Sequence, residues 1–387
     1  LQSSSTIGMN PNLKPEKTSS IEAGFEAAFW DNRLCLDFTY YKTDSRNQIL
    51  KLATTAASGY TSQVRNAGHI RNRGYEIQLG AVPIQTSKGF RWNLDLNYGA
   101  NSSKVVKLDD EGLITSYRLY SSGIQILASV GEAYGTLFGT SYVRDANGNV
   151  VVDANGLPKI STTNKTLGKF TPDWTGGISN TFSYRSLSLS FLIDASVGGS
   201  IFSNTNKTGK YTGVLANTLS GRDAEHGGLW YYTAAMGNNV RLPESPSYSV
   251  SSDGLYYAQV NGQSTRVYQD GIMVEGVTES GSKNEEVVSA EKYYHRIYSI
   301  AEANVYDASY VKLREVALSY RLPRLWTQKL HLQEASVTLT GRNLWTIYKS
   351  VPNIDPESAL TTGNAQGVEA YSLPTTRSFG VNLSVKF

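Results

Sequence analysis

The chain has 387 residues with a formal charge of +3, 18% of them charged and 40% hydrophobic. Its lysines and arginines are scattered rather than clustered, which excludes a polyanion-binding tail and argues against nucleic acid as a partner. No run approaches the ~20 apolar residues of a membrane-spanning helix, while 35 glycines and 25 tyrosines against 3 methionines favour strands, turns and aromatic belts.

The chain opens Leu1-Gln2-Ser3-Ser4-Ser5, without the basic region and apolar core of a signal peptide. From there the dominant signal is period-two alternation. In 33–41, Leu34, Leu36, Phe38 and Tyr40 share one face, against Arg33, Asp37, Thr39 and Tyr41. Cys35, the one cysteine, permits no intrachain disulfide and reads as a small packing residue. In 73–81, Tyr75, Ile77 and Leu79 oppose Glu76 and Gln78. In 91–100, Trp92, Leu94, Leu96 and Tyr98 oppose Arg91, Asn93, Asp95 and Asn97. In 187–197, Leu187, Leu189, Phe191, Ile193, Ala195 and Val197 oppose mostly serine and aspartate. Alternation slips near Glu315 in 309–320, which predicts a bulge. The last nine residues alternate again, with Phe379, Val381, Leu383, Val385 and Phe387 on one side. A soluble sandwich also alternates, but these segments run about 9–12 residues, the length that crosses a bilayer at a tilt.

The connections sort by length. Asp31-Asn32, Ser87-Lys88-Gly89 and Arg185-Ser186 are tight, and 322–332 reads as a brief helical turn on the same side. About 44–70, 107–165, 198–305 and 346–374 are long. Tight turns on one side and elaborate loops on the other are the pattern of an up-and-down barrel. About ten strands are expected, the segment near 133–143 being the least regular. Tyr40, Trp92, Tyr98 and Trp174 suit an interfacial girdle.

Catalytic and metal chemistry finds no anchor, and no cofactor is implied. The histidines His69, His226, His295 and His331 lie far apart with no zinc spacing. Asp109-Asp110-Glu111 reads as a solvated loop cluster. Asp145-Ala146-Asn147-Gly148 recurs as Asp153-Ala154-Asn155-Gly156, without the terminal glutamate of a calcium loop; the Asn-Gly steps predict type I′ hairpin turns. The loop region 198–305 carries Trp230, Tyr231, Tyr232, Tyr256, Tyr257, Tyr293 and Tyr294. Such faces stack on sugar rings or peptide side chains, and are the candidate ligand-binding residues; they serve equally to pack the loop on itself.

An ordered series of motifs then resembles one family. Asn10-Pro11-Asn12-Leu13-Lys14-Pro15-Glu16-Lys17-Thr18, Glu22-Ala23-Gly24-Phe25 and Asp37-Phe38-Thr39-Tyr40-Tyr41 come first. Gly131-Glu132-Ala133-Tyr134-Gly135, Phe170-Thr171-Pro172-Asp173-Trp174-Thr175-Gly176-Gly177 and Asp270-Gly271-Ile272-Met273-Val274-Glu275-Gly276-Val277 follow. Tyr293-Tyr294, Ser309-Tyr310-Val311-Lys312-Leu313-Arg314-Glu315-Val316 and Gly341-Arg342-Asn343-Leu344-Trp345 complete it. Together, over essentially the whole chain, they resemble SusC/RagA-like TonB-dependent outer-membrane transporters.

The resemblance implies an all-β fold: a transmembrane antiparallel barrel, this chain supplying the C-terminal strands of a 22-stranded wall with long extracellular loops. Residues 1–387 would be the C-terminal portion of the barrel domain, with 198–305 a large extracellular loop region. The plug and first barrel half would lie outside the chain. It further implies a Gram-negative outer membrane with its lipid as surroundings, and active import of an oligosaccharide or peptide. A SusD-like surface lipoprotein and the TonB–ExbB–ExbD system would be partners. The series Phe379, Val381, Leu383, Val385 and Phe387 is similar to the outer-membrane insertion signal of such barrels. A passive porin and a secreted all-β carbohydrate-binding module remain the alternatives.

Overall fold

A computed structural model of the chain describes residues 7–53, 60, 62–109, 112–329 and 331–387. Leu1 to Ser5, and the acids Asp110 and Glu111, lie outside the described residues.

Nine long strands form one sheet: β1 (Lys17–Phe29), β2 (Leu34–Arg46), β3 (His69–Gln85), β4 (Phe90–Lys107), β5 (Trp174–Tyr184), β6 (Leu187–Val197), β7 (Tyr310–Arg321), β8 (Glu334–Lys349) and β9 (Ser378–Lys386). Each pairs antiparallel with its neighbours in chain order. Nine rather than ten strands make this wall, because Tyr134–Gly139 joins a separate four-stranded sheet in a loop.

The register keeps the apolar series together across the whole sheet. Phe38 faces Ile77, which faces Tyr98; Phe182 faces Trp92 and Leu189; Leu318 faces Leu339, which faces Val381. One face of the wall is therefore continuously apolar, and the other carries Asp37, Gln78, Asn97, Ser179, Ser190 and their like. Cys35 alternates with Leu34 and Leu36, so it lies exposed on the polar face instead of packing.

Aromatic rings cluster at two levels of the apolar face. Tyr98 lies 5.9 Å from Tyr75 and 5.4 Å from Trp174 at one level. Phe182 contacts Phe90, Trp92 and Phe191 at 6.5, 5.6 and 6.1 Å at the other. Trp174 and Phe182 sit on the same strand, and their spacing at a strand rise of about 3.3 Å per residue and a tilt of ~40° separates the levels by about 20 Å. That is close to the height of an outer-membrane hydrocarbon band, with rings at both rims. Trp92 donates its indole N–H to Asn180 at 3.1 Å, which satisfies the one amide placed among these apolar side chains.

All the tight connections fall at one end. Asp31 and Asn32 are both left-handed (φ 53° and 63°) and close the β1–β2 hairpin. Arg185 (φ 53°) does so between β5 and β6. Between β7 and β8 the chain makes the short helix Arg324–Lys329, as expected. The bulge near Glu315 is also present: the ladder on both sides of β7 skips Arg314. The Asn-Gly turns differ from expectation. Gly148 and Gly156 are left-handed, but Asn147 and Asn155 are not. The Asp145 carboxylate accepts the amides of Asn147 and Asn149 at 2.9 and 2.8 Å, and this local bond holds a type I turn followed by a glycine bulge.

Most of the buried apolar core lies in the long loops, not in the wall. Ile124, Ile126, Leu137, Phe202, Ala301 and Val368 form one cluster drawn from the three largest loops. A wall that faces lipid on one side and an aqueous lumen on the other has no interior of its own to fill.

Candidate functional site

The loop between β6 and β7 begins with Ser200–Ser203 and helix α1 (Asn204–Thr212). Ser203 caps that helix by accepting the Asn206 amide at 3.0 Å. Its hydroxyl also donates to Glu369 at 2.7 Å, and Thr205 donates to the same carboxylate at 2.6 Å. Glu369, fully buried, comes from the β8–β9 loop. An anion at a helix N-terminus is favourable, so this carboxylate locks two loops together.

Helix α2 (Ala290–Tyr298) packs on α1. The Tyr211 ring stacks on His295 at 4.1 Å and contacts Tyr298 at 4.9 Å, while the Lys207 ammonium sits 4.1 Å over Tyr298. Lys210 is buried and donates to Ala303 O at 2.8 Å and to Asn304 Oδ1 at 3.3 Å. Burial without a carboxylate partner pulls its pKa down to about 8.

Two cavities of about 600 Å3 each lie in this loop, one against the helix pair and the other against the loop's own sheet. Arg222 and Asp270 line both. The first also has Tyr211, Glu291, Tyr294 and His295 on its walls; the second has Glu225, Tyr256, Arg266 and Tyr268. Arg222 is held by donating to Gly213 O at 2.7 Å and Thr218 Oγ1 at 2.6 Å, and Asp270 accepts from the Tyr231 hydroxyl at 2.9 Å. Charges of both signs beside flat aromatic faces suit an oligomer that offers both hydrogen-bonding edges and apolar faces.

The seven aromatic candidates divide. Tyr256 and Tyr294 line the cavities. Trp230 is buried under Tyr248 (4.9 Å) and Tyr256 (5.4 Å) with Ala258 and Val267, inside the loop's own sheet, and Tyr232 packs on that cluster. Tyr231 is buried and stacks on Tyr268 at 5.3 Å; burial and the Asp270 charge push its pKa up. Tyr257 stands opposite Arg266 in the loop sheet. Tyr293 packs edge-on against Tyr294 at 5.2 Å, and Tyr294 donates to Asn217 O at 2.9 Å. Arg222, Asp270, Tyr211 and His295 were not foreseen as site residues: Arg222 carries no motif, Asp270 opens the 270–277 segment without marking a cleft, and only folding brings them beside α1 and α2. Phe379, Val381, Leu383 and Val385 continue the outward apolar face along β9, and Phe387 follows it, exposed.

Among the described residues no group of three or more histidine, cysteine or carboxylate side chains could hold a metal ion. His226 pairs with Asp223 at 2.7 Å and His69 with Asp44 at 2.5 Å.

A wall polar on one face, apolar between two aromatic belts on the other, and looped at one end only defines a segment of an outer-membrane β-barrel. The TonB dependent receptor-like, beta-barrel family matches residues 1–212, and the chain belongs to it. It is similar to TonB-dependent receptor P3 of Formosa agariphila, at 27% identity over 407 residues, 98% of this chain and 35% of that protein. It is also similar to TonB-dependent receptor SusC of Bacteroides thetaiotaomicron, at 28% identity over 235 residues, 56% of this chain and 23% of that protein. The RagAB peptide importer in its "closed-closed" state shares the fold, with a TM-score of 0.63 at 19% identity over 98% of this chain and 36% of that one. The chain thus spans about 35% of the length of the first of these relatives. Its relatives are TonB-dependent receptors, one of them SusC, and not enzymes.

Proposed function

We propose that this chain is the C-terminal wall and loop portion of a TonB-dependent importer for an oligomeric nutrient, an oligosaccharide or a peptide. The carrying observation is the pair of adjoining clefts around Arg222 and Asp270 at the long-loop end of the wall. In this reading 198–305 meets substrate outside the cell, with Tyr256 and Tyr294 in contact and Trp230 and Tyr231 holding the cleft's shape. Tyr232, Tyr257 and Tyr293 would support that surface. A SusD-like lipoprotein closes over the loops, and TonB–ExbB–ExbD supplies the energy through a plug that lies outside this chain. The outward series Phe379 to Phe387 serves as the insertion signal.

Uptake of labelled oligosaccharides and peptides by cells carrying the full-length protein tests this. Uptake of one class should vanish without TonB and fall at least about tenfold, ~1.4 kcal/mol, in Arg222→Ala/Tyr294→Ala. Uptake that persists without TonB makes the barrel a passive pore and sinks the reading.

A further inference from the structure

Directly above the upper aromatic belt, the outward face of β2 to β4 turns from apolar to cationic. One step beyond the Tyr40–Tyr75 pair on that face, Lys42 stands opposite Arg73. One step further, Asp44 stands opposite Arg71, and Arg71 opposite Lys104; Arg46 follows at the next step. Side chains alternate strictly, so all of these share the side of Tyr40 and face away from the lumen.

Five cations meet one carboxylate there, and the carboxylate is already occupied. Asp44 accepts from His69 at 2.5 Å and from Arg71 at 2.9 Å. Among the described residues Lys42, Arg46, Arg73 and Lys104 make no ion pair with the chain's own acids. Arg46, Arg73 and Lys104 are exposed. Like charges directly opposite on neighbouring strands destabilise a sheet, and Lys42/Arg73 and Arg71/Lys104 are two such pairs. Asp44 offsets Arg71 in part, but the Lys42/Arg73 pair and Lys104 have no acid of the chain paired with them among the described residues, so their compensation has to come from outside the chain. The aromatic belt beneath them marks the interface level, so the patch lies in the headgroup layer, where anionic groups are concentrated.

We propose that this patch binds the phosphate groups of an outer-leaflet glycolipid, with Lys42 and Arg73 as its lower rung and Arg71, Lys104 and Arg46 above. Arginine favours phosphate through its paired donors, and the belt of Tyr40, Tyr75, Tyr98 and Trp174 lies against the lipid's acyl portion. The inference rests on outer-membrane placement but not on the imported substrate.

The test uses the full-length protein in detergent and native mass spectrometry. Bisphosphorylated lipid A and a dephosphorylated form with the same acyl chains are titrated separately. The wild type should retain the phosphorylated form about tenfold more tightly, roughly the sum of two exposed charge contacts. Lys42→Gln/Arg73→Gln should erase that preference and leave binding of the dephosphorylated form unchanged. These substitutions relieve a like-charge pair, so the barrel should keep its heat-modifiable migration; if it does not, the wild-type preference decides alone. Equal binding of both lipids by the wild type overturns the proposal. So does full displacement by inorganic phosphate at equal concentration, which would make the patch a general anion site. Loss of nutrient uptake in this variant with lipid binding intact would count against it too.

Discussion

At the scale of single residues, the loop helices hold a titrating group in an unusual setting. Lys210 would keep its proton to pH 10.5 in a free chain but only to about 8 where it is buried. Between those values the unfolded loop binds a proton that the folded loop does not, so stability rises with pH across the window; below pH 8 the full penalty applies, on the order of 3 kcal/mol. Proteolysis of the 198–309 loop, normalised to an unstructured peptide, should therefore slow between pH 8 and pH 10. Lys210→Met removes the charge and should flatten that slope. It also leaves Ala303 O and Asn304 Oδ1 without their donor, so the slope and not the absolute rate is diagnostic. An unchanged slope in the variant means the amine does not set it.

At the scale of elements, the bulge in β7 turns a break in alternation into a junction. By skipping one rung, the strand frees Arg314 to donate to Asp194 Oδ2 on β6 at 2.9 Å and to the Glu357 carboxylate in the β8–β9 loop. Lys312, nearly buried, reaches Asp355 at 2.7 Å and Glu357 at 2.6 Å in the same loop. Asp194 Oδ1 is buried with no partner, so Arg314 is what offsets that carboxylate. Arg314→Gln should cost about 1–3 kcal/mol, the range for stranding a buried polar group. A lower thermal midpoint of the full-length protein in detergent, with faster cleavage within 350–377, is the expected result; an unshifted midpoint would show the junction to be dispensable. The slip near Glu315 was legible because alternation is local. What the bulge does was not, since Arg314 and Asp194 lie 120 residues apart and Ser203 and Glu369 lie 166 apart. The same distinction separates wall from site. Strands, tight turns and girdle aromatics show in the periodicity of a few residues, while Arg222 meets Asp270 only through the loop's tertiary packing. Trp230 and Tyr231 looked like candidate ligand contacts because they are aromatic, and composition does not distinguish a stacking face from a loop core.

At the scale of the molecule, the wall is unfinished. The sheet runs from β1 to β9 without pairing between them, so Lys17–Phe29 and Ser378–Lys386 each present a free edge. Their side chains show the consequence: Phe25, Phe379, Val381 and Leu383 are all exposed. In hydrocarbon no water can satisfy an unpaired backbone group, and each costs several kcal/mol; barrels escape this only by closure. Two edges about ten residues long are far beyond what nine strands can offset. The family relation points the same way, since the chain spans only 35% of TonB-dependent receptor P3. Residues 1–387 expressed alone should therefore fail to give a folded, heat-modifiable band in detergent or vesicles, and should aggregate through the β1 and β9 edges. Supplying the remaining barrel segment as a separate chain should restore the band if edge pairing is the missing element. A stable, heat-modifiable species from residues 1–387 alone would mean that β1 and β9 close on each other, in a narrow barrel of a kind the nine-strand register does not show.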